Sequence, residues 1–177
     1  MSEPDATGGG PCDAPPELSC GPSCELPIHC KDGAWQYGQE MCPICAAPDT
    51  PIATPLGDRP ISELAPGDLV YSVDGAGIAV VPILAVGSTP VLNHRIVRVQ
   101  LAQGTVLEIS AGHPTADGRT FADLLAGGQL DEGHAVATAA VVPYKHSRTY
   151  DILPSSSSGT YFAGGVLIGS TLATKRK

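Results

Sequence analysis

The amino-acid sequence predicts an all-β domain, and three observations carry that reading. Short apolar runs rich in Val, Ile and Leu recur along the chain, each punctuated by Gly, Pro or Asp. Residues 94–101 alternate polar and apolar side chains at period two, the signature of a half-buried strand. Asp74-Gly75 separates two such runs, and this pair suits a two-residue hairpin turn that needs positive φ. In order, the expected elements begin with a strand at 52–54 and a turn at Leu56-Gly57-Asp58. Ile61 and Leu64 form a short apolar pair, and Pro66-Gly67-Asp68 turns into a strand at 69–73. Strands follow at 78–86, 94–101 and 105–110. One helix is predicted after Thr120, with Thr120 as N-cap, Asp123 as its capping-box partner, Leu124 and Leu125 as its core side and Gly127-Gly128 as its stop. Beyond it lie strands near 135–142, 149–152, 161–163 and 166–168. The run Ser155-Ser156-Ser157-Ser158-Gly159 reads as a mobile loop. No repeat with a period of roughly 20–50 residues is visible.

The chain has 177 residues, 42% hydrophobic and 16% charged, within the ~100–200 residues of one ordinary domain. Its net charge of −8 argues against nucleic acid or an anionic membrane as a general partner. No run approaches the ~18 apolar residues of a membrane-spanning helix. Composition divides the chain into three parts. Residues 1–44 form an acidic tether and Cys-rich leader, with one basic residue (Lys31) against seven acidic ones. Residues 45–170 form the β body, and 171–177 a short basic tail. The opening residues show neither a basic n-region nor an apolar h-region, so no signal peptide is expected in this chain.

Cys12, Cys20, Cys24, Cys30 and Cys42 crowd into a leader with too few apolar residues to build a core. Two staples remain open. Disulfides suit an oxidising, extracytoplasmic compartment. Alternatively, the pairs Cys20/Cys24 and Cys42/Cys45 have the spacing of a four-cysteine zinc site, with His29 and Cys30 as substitutes for one ligand. Apart from that zinc, no cofactor is expected.

Three segments, in order, resemble the Hint domain family of inteins and hedgehog C-terminal regions. The first runs from Cys45 through Thr50-Pro51-Ile52-Ala53-Thr54 to Gly67-Asp68-Leu69-Val70, and is similar to the family's lead Cys, T-x-I-x-T strand and G-D-x-V strand. The second, Ser110-Ala111-Gly112-His113, is similar to its T-x-x-H block with Ser in place of Thr. The third, Thr149-Tyr150-Asp151-Ile152 and on through 161–168, is similar to its closing block. Together they span residues 45–170; the leader matches nothing in the family and occupies the place of the sequence that such a domain cuts away.

The resemblance implies a compact β fold and a chemistry. Cys45 would attack the Ile44 carbonyl and convert that peptide bond to a thioester, with the chain's own N-terminal segment as substrate. His113 would protonate the departing nitrogen, Ser110 would orient the peptide, and Asp151 would modulate the thiol or shuttle a proton. Cys42, three residues ahead, would act as a redox gate by pairing with Cys45. The external nucleophile that accepts the thioester is not specified by the sequence. Gly169 and Ser170 stand where splicing needs a His-Asn pair, so N-terminal cleavage without full splicing is the expected outcome. Only seven residues follow Ser170, and sterol transfer of the hedgehog kind would need a further lipid-recognition segment. The alternatives are a catalytically silent module of the same fold, stapled by disulfides, and a zinc-binding adaptor centred on the leader. His94, His134 and His146 are assigned structural roles.

Overall fold

The computed structural model describes residues 28–31, 34–37, 45–91 and 94–172. Thirteen strands follow one another: β1 (Ile28–Lys31), β2 (Ala34–Tyr37), β3 (Pro51–Thr54), β4 (Gly57–Pro60), β5 (Leu69–Asp74), β6 (Gly77–Pro90), β7 (Arg95–Leu101), β8 (Val106–Ile109), β9 (Gln129–Asp131), β10 (His134–Pro143), β11 (Arg148–Pro154), β12 (Thr160–Ala163) and β13 (Val166–Gly169). Two single 3-10 turns, Ile61–Glu63 and Phe121–Asp123, complete the described elements. Pairing is antiparallel throughout, in sheets ordered β8-β7-β10-β9, β11-β6-β5 and β13-β12-β3-β4, with β1-β2 as a separate hairpin. The expected all-β fold is present.

Each long strand works twice. β6 has 14 residues; its first half pairs with β5, from Gly77 against Asp74 to Pro82 against Leu69, and its second half pairs with β11. Gly75, at φ +61°, makes the expected hairpin turn after Asp74. Inward side chains of β5, β6, β7, β8, β12 and β13, among them Val70, Ile83, Val99, Leu107, Ile109, Tyr161 and Ile168, meet in one apolar core. Residue 46 is wedged into this frame, bridging Ile109 at the end of β8 and Tyr150 in β11. The chain just after the leader therefore runs between two strands that the sequence places far apart.

The body is internally duplicated: positions 61–70 recur 60 residues on at 121–130, and the short corner ahead of them, 47–50, recurs 63 residues on at 110–113. Ile61 and Phe121 are fully buried at the start of the two 3-10 turns, and Leu64 and Leu124 close them by donating N–H to the carbonyls of Ile61 and Phe121, both at 3.3 Å. Gly67 and Gly127 follow at φ +92° and +84°. Their N–H groups donate to Ile83 O (2.9 Å) and Val136 O (2.8 Å), and Ile83 N and Val136 N donate back to Asp68 O and Gly128 O. Val70 and Leu130 then enter the core. Few identities mark it in the sequence: Arg59/Arg119, Leu64/Leu124 and Gly67/Gly127 are kept, with apolar character at 61/121 and 70/130.

Two expectations are corrected. The predicted helix after Thr120 is one 3-10 turn: Asp123 Oδ2 does accept from Thr120 N (2.8 Å) and Oγ1 (3.0 Å), but Leu124 is already extended (φ −77°, ψ 132°) and no 4-residue ladder starts. Phe121 takes the core side, and Leu125 is 72% exposed. The serine run is not a loop standing free of the body but is tied to the β5 hairpin end by hydrogen bonds. Ser157 N donates to Asp74 Oδ1 (2.9 Å), Gly75 N donates to Ser157 Oγ (3.0 Å), Ser156 meets Ser72 Oγ at 2.7 Å and the Ser158 hydroxyl donates to Val73 O. The Ser157 hydrogen bonds hold the Asp74 carboxyl below its usual pKa. Small polar side chains beside a hairpin end act here as turn caps.

Candidate functional site

The site begins with the backbone of Cys45, which is buried with 6% of its surface exposed. Ala46 exchanges two hydrogen bonds with Tyr150, N to O at 2.8 Å and O from N at 2.9 Å, and Ala47 N donates to Glu108 O at 3.1 Å. Ser110, just past the end of β8, brackets the Cys45 residue: its Oγ accepts from Cys45 N at 3.2 Å and donates to Cys45 O at 2.9 Å, while its own N–H donates to the same carbonyl at 3.0 Å. One hydroxyl thus touches the amide nitrogen of the Ile44–Cys45 bond and the carbonyl on the other side of the nucleophile.

His113 lies one turn on, held by its N–H on Ser110 O (3.0 Å) and by Phe121 N on its own carbonyl (3.0 Å). Its imidazole is fully buried, edge-on to the Phe121 ring at 6.1 Å. Its Nε2 is 2.8 Å from Gly169 O. A carbonyl only accepts, so Nε2 carries a hydrogen. His113 therefore ties the Ser110 turn to the end of β13, the place where Gly169 and Ser170 replace His-Asn.

Asp151, in β11, is fully buried and saturated with donors. Oδ1 accepts from Tyr161 OH (2.7 Å) and Ile152 N (2.8 Å), and Oδ2 accepts from Thr171 N (2.7 Å), the Thr171 hydroxyl and, at 3.5 Å, Ser170 Oγ. Burial first, and then the Asp151 charge and hydrogen bond, push Tyr161 well above the usual phenol pKa, with a further contribution from Cys45. Burial, with the charges of Asp49 and Glu108 next, also raises Tyr144, and Cys45 adds to that rise. Cys45 is thus within electrostatic reach of two phenols.

The structure brings Cys45, Ser110, His113 and Asp151 to one end of the body. Cys20, Cys24 and Cys42 lie outside the described residues, so the zinc set and the Cys42 gate do too. Among the described residues, no group of three or more His, Cys, Asp or Glu is placed to hold a metal ion, and no helix is long and apolar enough to cross a membrane. Three residues to which the sequence reading gives no site role join the site. His94 is buried with Nε2 2.9 Å from Ser110 Oγ, so the structural role assigned to it puts it against the site. Tyr161 and Thr171 hold Asp151. Nothing in the spacing marks His94; its position directly before β7, buried two residues ahead of the buried Ile96, is the one available signal.

No protein-family model matches the sequence, and no curated protein matches it. Solved structures do. The chain is similar to the MchDnaB-1 intein, 27% identical, over 70% of this chain and 98% of that one, with a TM-score of 0.53. It is similar to the Msm DnaB1 intein splicing domain bound with zinc, 26% identical, over 70% and 98%, TM-score 0.57. It shares its fold with a bacterial intein-like domain from Clostridium thermocellum, 17% identical, over 73% and 99%, TM-score 0.59.

Proposed function

We propose that this chain, whose body is a Hint-like domain, processes itself by cutting the Ile44–Cys45 peptide bond without full splicing. Cys45 Sγ attacks the Ile44 carbonyl carbon. The carbon–sulfur bond forms, the carbon–nitrogen bond breaks, and the proton lost from sulfur ends on Cys45 N, which becomes a primary amine. Water, or another nucleophile of the surroundings, then opens the thioester, leaving an Ile44 carboxylate and restoring the Cys45 thiol. An ordinary thiol with a pKa near 8.5 is only ~3% ionised at pH 7, so the site must help. His113 supplies the proton to the nitrogen, an effect typically worth about 10²–10⁴-fold. Ser110 orients the bond, and Asp151 tunes the thiol or shuttles its proton.

The observation that supports this reading best is the Ser110 bracket on Cys45 N and O. It holds the nucleophile and its amide in one orientation, which is the main task in an intramolecular attack. The test is intact mass over a day near neutral pH, with and without reductant. Products of residues 1–44 and 45–177 that disappear in Cys45→Ala establish the reaction; a chain that stays whole under both conditions refutes it.

Cys42 adds a control to the same reading. A Cys42–Cys45 disulfide keeps the nucleophile silent, and reduction releases it. Equal cleavage rates with and without reductant would remove the gate. A second reading, a silent disulfide-stapled module, is favoured by Gly169 and Ser170 at the closing positions; an intact chain lacking six hydrogens would select it. If zinc holds Cys20, Cys24, Cys42 and Cys45 instead, a chelator and not a reductant would change the chain's state.

A further inference from the structure

Ser110 Oγ has one hydrogen and two lone pairs to offer, and three groups claim them. Cys45 N–H is a donor and takes one lone pair, at 3.2 Å. Cys45 O is an acceptor and takes the hydrogen, at 2.9 Å. His94 Nε2 lies at 2.9 Å, and the remaining lone pair accepts only a donor. All three contacts are satisfied together when Nε2 carries the ring hydrogen. In the other neutral tautomer a bare Nε2 competes with Cys45 O for the single hydroxyl hydrogen, and the bracket on Cys45 loses an arm. We propose that His94 is a positioning residue that acts through Ser110, its Nε2–H aiming the hydroxyl hydrogen at Cys45 O so that the nucleophile's backbone stays fixed. The kinetic consequence rests on the self-processing reading; the tautomer does not.

The surroundings of His94 are built for a fixed ring. Its carbonyl accepts from Tyr144 N at 2.9 Å, and the Tyr144 ring meets the imidazole edge-to-face at 5.5 Å and 88°. Tyr144 is itself held by its hydroxyl, which donates to Arg148 O at 2.7 Å. Burial lowers the His94 pKa from its usual value, which favours the neutral ring in which the choice of tautomer matters.

Two measurements on the full chain decide the matter. Long-range ¹⁵N spectra report which ring nitrogen of His94 is protonated: a hydrogen on Nε2 with Nδ1 bare supports the proposal, and the reverse overturns it even in a chain that never cleaves. For cleavage, His94→Ala is expected to slow product formation by about tenfold, the loss of one buried hydrogen bond. His94→Gln keeps an N–H in reach of Ser110 and is expected to return the rate to within about threefold of wild type. In a Ser110→Ala background, His94→Ala is expected to add nothing further. A Gln variant as slow as Ala, or full additivity with Ser110→Ala, overturns the relay through Ser110. If the wild-type chain stays whole, the self-processing reading falls while the tautomer still judges this proposal.

Discussion

Removing the Tyr161 hydroxyl tests whether Asp151 is held as the geometry says. Tyr161 and Asp151 are both fully buried, and the phenol donates to Oδ1 at 2.7 Å. In Tyr161→Phe the ring stays in the core and Oδ1 keeps only Ile152 N; the Thr171 donors serve the other oxygen. A hydrogen bond to a charged group is worth about 1.5–3 kcal/mol, so the expected loss is about 2 kcal/mol. For a domain of this size that lowers the melting temperature by roughly 4–8 °C. Urea unfolding at pH 7 reads the first quantity, and a thermal scan the second. The same pair sets an alkaline limit. Tyr161 is raised in the folded chain by burial and by Asp151, so its contribution is complete below the ordinary phenol value near 10. It is lost as pH rises above that value, where the unfolded chain ionises first. Tyr161→Phe should therefore flatten the fall in stability above that pH. A variant within about 0.5 kcal/mol of wild type at pH 7, with an unchanged alkaline slope, would refute the claim that this bond secures the carboxylate.

Other expectations follow from single positions. Thr149 is fully buried with its hydroxyl unpartnered among the described residues, so Thr149→Val should gain about 1 kcal/mol in urea unfolding; a loss would reveal a partner. Gly127 sits at φ +84° in open space, so Gly127→Ala should cost about 1–2 kcal/mol from backbone strain alone, and a neutral result would contradict that φ. Phe121→Ala should cost about 3–5 kcal/mol while Leu125→Lys stays within about 0.5 kcal/mol; the reverse order in chemical denaturation would restore the predicted helix.

Much of the fold is legible in the sequence because its signals are local. The Asp74-Gly75 turn, the alternation in 95–101 and the apolar run feeding β6 each declare themselves within a few residues. The cap of the Thr120 turn is legible too, but its length is not. The turn stops after three residues, Phe121–Asp123, because Leu124 returns to extended backbone before a 4-residue ladder can start. The serine run misleads because low complexity says nothing about neighbours. Its partners in β5 lie about 84 residues away. The site shows the same division. Cys45, Ser110, His113 and Asp151 stand out through a resemblance in ordered motifs, whereas His94, Tyr161 and Thr171 join them through long-range packing alone.

The duplication explains why only one half of the body has groups to spare for chemistry. Ala47-Pro48-Asp49-Thr50 and Ser110-Ala111-Gly112-His113 form the same turn: Thr50 N donates to Ala47 O at 3.1 Å, and His113 N to Ser110 O at 3.0 Å. The next turns dock alike, Ile61 N on Thr50 O and Phe121 N on His113 O. In the first copy the Thr50 hydroxyl folds back onto Ala47 O at 2.7 Å and closes the turn on itself. In the second copy the imidazole leaves that carbonyl and reaches Gly169 O, while Ser110 spends its hydroxyl on Cys45. Two side-chain changes thus turn a self-contained corner into one that faces the wedged segment. His113→Thr should convert the second corner back: its hydroxyl can take Ser110 O as Thr50 takes Ala47 O. The variant should be more stable than His113→Ala by about 1 kcal/mol and, on the self-processing reading, no more active. A Thr variant as unstable as Ala would show that the two corners are alike in outline only, and that burial of the imidazole outweighs the turn it sits on.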